Sequence, residues 1–140
     1  MMNKNKKTIT AFLLTISLLI FIYLIQSSNG VKFVIRDIHA NFKGKIINKY
    51  TVRKGISPTH LKVKTMDSEI EINPSYIIVD YANIGDSIIK PKDDNVCIII
   101  KSNGVRKKFF YTGITKEQRE DSKFPKEWKN KWMESNDFGK

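Results

Sequence analysis

Few side chains in this sequence have both the type and the setting for chemistry. Cys97 is the one cysteine, which excludes an intrachain disulfide and a thiolate metal cluster. It stands in the run Val-Cys-Ile-Ile-Ile, where a thiol packs as a small buried hydrophobe unless a cation or helix N-terminus lowers its pKa. His39 and His60 are the only histidines, and neither sits in a cluster with metal-ligand spacing. Glu69 and Glu71 form a carboxylate pair of the kind that could serve as general acid and base. No Gly-x-Ser-x-Gly, His-Glu-x-x-His or phosphate-cradling glycine loop occurs. The expectation is a protein with no catalytic, metal or cofactor residues, one that binds or scaffolds.

The elements around those residues favour a structural reading of the carboxylate pair. Leu61-Lys62-Val63-Lys64 and Glu69-Ile70-Glu71-Ile72 alternate with period two and are separated by Thr65-Met66-Asp67-Ser68. Folded back on each other, they place Val63 opposite Ile70, Leu61 opposite Ile72, Lys64 opposite Glu69 and Lys62 opposite Glu71, satisfying both faces at once. Residues 42–52 read as another half-buried strand, with Phe42, Gly44, Ile46, Asn48, Tyr50 and Val52 on one face and Lys43, Lys45 and Lys49 on the other. Tyr76-Ile77-Ile78-Val79 is short and β-branched, which disfavours helix. Asn83 to Pro91 reads as a turn entering a strand at 87–90 that the proline ends. Residues 96–101 and 105–111 form a hairpin through Ser102-Asn103-Gly104, with Asn-Gly as its turn signal; on a two-residue turn, Val96, Ile98, Ile100, Phe109 and Tyr111 would share the core face.

The N-terminal segment is of another kind. Residues 8–25 carry no charge, proline or glycine, and as a helix they extend about 27 Å, close to a hydrocarbon core of about 30 Å. A transmembrane helix with the lipid bilayer as its partner is therefore expected at 8–25. The alternative is a cleaved signal, with Lys4, Lys6 and Lys7 as its basic region and Ser28-Asn29-Gly30 as its small-residue site. No cysteine follows the run, which excludes lipid modification there. The leading lysines favour an N-terminus kept inside and a domain facing the envelope.

Beyond Gly113 the pattern turns helical, with a capping box at Thr115 to Gln118 and a second helical start at Pro125. Phe124, Trp128 and Trp132 recur every four residues, with Lys126 and Lys129 beside them. The stripe packs on its own domain or forms a partner or membrane surface. The expected fold is mainly β: a transmembrane helix, then a small barrel-like or open-sheet domain, then a short helical segment. The expected divisions are 1–30 as tail and anchor, 31–114 as β domain and 115–140 as helical extension.

Gly44-Lys45-Ile46 with Tyr50 downstream, and Ile84-Gly85-Asp86-Ser87-Ile88-Ile89-Lys90, resemble a group of small exported bacterial proteins of unknown function. These pair an apolar N-terminus with a compact β domain carrying a Gly-Asp-Ser-Ile-x-Lys turn. The resemblance covers residues 42–111 and implies a fold and an envelope address, with no activity attached. The formal charge of +11 would attract anionic partners, but the cations are scattered along the chain, so nucleic acid is not the expected partner. The reading is a membrane-anchored envelope module with an unidentified protein partner. The alternative is a small barrel binding an anionic polymer, nucleic acid or glycan, through lysines sorted into one groove.

Overall fold

The computed structural model describes the backbone of residues 4–52, 54 and 57–137 and the side chains of 9–23, 30–52, 54 and 57–135. The first element is a long helix, α1 (Lys4–His39), followed by β1 (Phe42–Tyr50), β2 (His60–Lys64), β3 (Glu69–Ile72), α2 (Tyr76–Tyr81), β4 (Ser87–Lys90), β5 (Val96–Ile100), β6 (Arg106–Phe110) and α3 (Lys116–Glu120). Two 3-10 turns, Lys126–Trp128 and Met133–Asp137, close the described chain. The strands form one sheet in the order β3-β2-β1-β4-β5-β6, antiparallel throughout. The chain builds outward from β1 to one edge, then crosses by α2 to β4 and builds to the other.

This corrects the expected fold class. The protein is mixed α/β, and the sheet is open, since β3 and β6 end it on opposite sides and do not pair. A barrel hides its edges by closure; here α2 packs on one face of the sheet, and both edges stay separate. The transmembrane helix is corrected too: among the described residues no helix is long and apolar enough to cross a membrane. Thr8, Leu24 and Ile25 of the expected crossing lie outside the described side chains.

Residue 30, the expected end of the anchor, lies inside α1. The helix continues because Val31, Val34, Ile35 and Ile38 recur at helical spacing. Val31, Val34 and Ile38 are buried with Ile114, Phe124 and Trp128 in a core of their own. The second core lies on the covered face of the sheet, where Ile46, Leu61, Val63, Ile88, Cys97 and Ile99 meet Ile78, Val79 and Ala82 from α2 and its end. Residues 76–79, a short β-branched run that disfavours helix on its own, are helical because this crossover must present Ile78, Val79 and Ala82 on one side. Burial of that face overrides the weak β preference of the side chains.

The β2–β3 register is the expected one, residue for residue. The ion pair forms on the diagonal, Lys62 Nζ to Glu69 Oε2 at 2.8 Å. The β5–β6 hairpin is shifted by one. Lys101 and Val105 close a three-residue loop of Ser102, Asn103 and Gly104, with Gly104 at φ 85°, and Ile100 pairs with Arg106. A one-residue slip exchanges the faces: Cys97, Ile99 and Phe109 point inward, while Val96, Ile98 and Ile100 point to the open side. In β1 the register shifts between Ile46 and Asn48. The bulge brings Lys49, opposite Leu61, to the core side instead of Tyr50.

Candidate functional site

The junction between α1 and the sheet is built around one lysine. Lys90 ends β4 and follows the parity of Ile88, which turns it inward, and it is fully buried. Its Nζ donates to the carbonyl oxygens of Ile38 at 3.0 Å, Ala40 at 3.1 Å and Pro91 at 2.9 Å, and to that of Asp94. Two of these belong to the end of α1, where carbonyls lack helical partners and the helix dipole favours a cation. Burial lowers the Lys90 pKa, an effect that Asp94, Asp37 and Asp93 partly offset. The lysine thus joins the end of α1 to the β4–β5 loop.

The rest of the Gly-Asp-Ser-Ile-x-Lys turn is structural in the same way. Gly85 adopts φ 97° and donates its N–H to the Ile46 carbonyl at 2.8 Å, a backbone state that favours glycine. Asp86 is buried, accepts from the Asn83 amide at 2.8 Å and pairs with Lys101 Nζ at 2.9 Å. Burial would raise its pKa, but Lys101 and the Asn83 amide hold it below the usual carboxylate value. Lys101 also donates to the Tyr81 carbonyl and Lys49 to that of Ala82, so two ammonium groups finish α2 as Lys90 finishes α1. Gly44 fills the other half of the resemblance: a Cβ there would lie 2.4 Å from the Lys64 oxygen and 2.6 Å from Val63 Cγ1. Gly44→Ala must push β1 from β2 and should cost roughly 1 to 3 kcal/mol. A thermal melt matching the parent protein would show that this close approach is dispensable.

The aromatic stripe lies against α1. Phe124 and Trp128 are buried with Val31, Val34 and Ile38. The Trp128 ring meets Phe124 at 6.3 Å, Trp132 at 5.9 Å and His39 at 5.0 Å. Trp132 is half-buried at φ 53° and its Nε1 donates to Asp94 Oδ1 at 3.1 Å. Lys126 is exposed and Lys129 half-buried. Of the five residues named as an alternative partner or membrane surface, Phe124 and Trp128 are thus interior. Arg119 on α3, buried, holds the segment in place through the carbonyls of Lys129 at 3.2 Å, Lys131 at 2.6 Å and Trp132 at 2.6 Å.

The groups singled out for chemistry are engaged elsewhere. Cys97 is buried and its thiol is pushed up to about 12 by that burial. The Lys62 ammonium, by hydrogen bond and charge, holds Glu69 below the usual carboxylate value. His60 Nδ1 lies 2.7 Å from the Thr59 hydroxyl and its ring stacks on Tyr50 at 5.4 Å. His39 pairs with Asp93 beside Trp128. Among the described residues no three His, Cys, Asp or Glu gather to hold a metal. A cleft of about 840 Å³ runs between α1 and the β3 side of the sheet, lined by Phe33, Arg36, Asp37, Phe42, Glu71 and Tyr111 among others. Arg36 closes its rim over Phe33 at 4.9 Å and pairs with Asp37 at 3.2 Å.

Sequence reasoning missed Lys90, Lys49 and Arg119. A signal for Lys90 existed, because alternation from Ile88 places it on the core face. The chain matches no family model, no curated protein and no solved structure.

Proposed function

We propose that this protein is a non-catalytic binding module of the cell envelope, held in the apolar phase of a lipid bilayer by the N-terminal half of α1. The carrying observation is the division of that helix. From Ile9 to Tyr23 every described side chain is exposed, including Phe12, Leu13, Leu14, Leu18, Leu19, Ile20 and Phe21. From Val31 to Ile38 the same helix enters a core. An apolar helical surface of this extent, without a charge to mark a water-facing side, is stable only against another apolar phase. Thr15 donates its hydroxyl to the Ala11 carbonyl at 3.0 Å, so that polar group asks nothing of water. The proposal concerns lipid contact and not a crossing. What supports the absence of catalysis is the engagement of Cys97, His39, His60, Glu69 and Lys90 in packing, pairing or capping.

The full chain reconstituted with neutral phosphatidylcholine vesicles should float with them and stay bound through high salt and alkaline carbonate. Charge cannot explain retention on a neutral lipid, so release into the carbonate supernatant would overturn the lipid reading. Replacing Leu14 and Leu18 together by Lys should shift the protein toward the supernatant.

A further inference from the structure

The sheet has a second face, which no element of the described chain covers. Its centre is aliphatic, with Ile89 on β4 and Val96, Ile98 and Ile100 on β5, all half-buried. On either side stand exposed cations, Lys43 and Lys45 on β1 and Arg106 and Lys108 on β6. The register arranges them in rows. Lys43 pairs with Ile89, Ile89 with Ile98 and Ile98 with Lys108; in the next row Lys45 pairs with Ser87, Ser87 with Ile100 and Ile100 with Arg106. Each row is thus a cation, two uncharged positions and a cation. At about 4.8 Å per strand the two cationic rails stand about 14 Å apart. None of β1, β4, β5 and β6 contains an acidic residue.

We infer that this face docks an amphipathic helix of a partner protein, laid along β4 and β5 with its apolar stripe on the isoleucines and acidic residues on its two flanks. The rails are spaced to straddle a helix, whose diameter with side chains is about 10–12 Å. Helix on sheet is the usual way to bury such a face. Charge complementarity fixes the sign of the flanks. A second copy of this chain does not meet the requirement, because the first acidic residue of α1 is Asp37, far from its apolar half. Single-stranded nucleic acid is recognised by stacking on successive aromatic side chains; the aromatics of this face, Phe110 opposite Val96 at the end of β6 and Tyr50 stacked on His60, lie apart at its margins, and the floor between the rails is aliphatic. The inference is independent of the lipid reading.

The test uses the full chain in non-ionic detergent micelles and two labelled synthetic helical peptides with the same leucine stripe, one flanked by glutamates and one by lysines, with empty micelles as blank. Fluorescence anisotropy should show binding of the glutamate-flanked peptide, weakening as salt rises. The double reversal Lys43→Glu with Lys108→Glu changes exposed residues of opposite rails and should weaken that binding about tenfold or more. It should also shift the preference toward the lysine-flanked peptide, while Ile98→Ser should weaken both. Equal binding of the two peptides, or no binding of either, would overturn the inference. So would a double reversal that affects only a single-stranded oligonucleotide or phosphatidylserine vesicles, which would assign the face to those ligands instead.

Discussion

Lys90→Met should cost about 3 to 5 kcal/mol, because the replacement keeps the length of the side chain but leaves buried carbonyl oxygens at the end of α1 and in the β4–β5 loop without their donor. Lys90 is fully buried and holds four such oxygens from two parts of the chain. For a domain of this size the unfolding midpoint should fall by at least about 12 °C. Lys43→Met, which removes the same charge from an exposed site on β1, should change stability by no more than about 0.5 kcal/mol. The pair separates the clamp from net charge. Equal, small effects of both substitutions would show that Lys90 is replaceable by any side chain that fills the space.

Trp128→Ala is the second large effect. The ring is 6 % exposed and its aromatic neighbours Phe124, Trp132 and His39 lie within a shared cluster beside Val31, Val34 and Ile38. Emptying such a site costs about 3 to 5 kcal/mol. The loss should appear as a lower denaturation midpoint of the full chain in micelles, while Lys126→Ala leaves the midpoint unchanged. An unaltered midpoint for Trp128→Ala would mean that the stripe does not support α1, and would return it to consideration as a binding surface.

The parts of this fold legible in the sequence are those in which two independent constraints agree. In β2–β3, apolar alternation on one face and opposite charges on the other select the same register, and the structure has it. The Thr115 capping box was legible for the same reason, since its two reciprocal hydrogen bonds use residue types fixed three apart. Where one constraint stood alone, the reading slipped. Ser102-Asn103-Gly104 marks the hairpin correctly, but faces assigned on a two-residue turn are reversed in β5, because all three residues belong to the loop. The bulge in β1 did the same to Lys49 and Tyr50. At residues 76–79 propensity is the only signal in the sequence, and a six-residue helix within a crossover is governed by what it must cover.

The candidate sites show a related asymmetry. A run of aromatics at helical spacing fits a packed segment as well as a surface, and Phe124 and Trp128 are interior because α1 continues past residue 30 and needs apolar partners. The lysines looked dispersed along the chain. Folding buries or half-buries Lys49, Lys90 and Lys101 at helix ends and leaves Lys43, Lys45 and Lys108 exposed on the open face. That division depends on strand parity and on two register shifts, which composition does not encode.

The central claim is that α1 and the sheet are one cooperative unit joined through Lys90. Amide hydrogen exchange on the full chain in non-ionic micelles tests it most directly, since exchange through global unfolding gives linked elements the same protection. The expected result is that the amides of residues 31–40 are protected to the same degree as those of β1 and β4. Rapid exchange of 31–40 beside slowly exchanging β1 and β4 would contradict it, showing a helix that comes away from the sheet on its own.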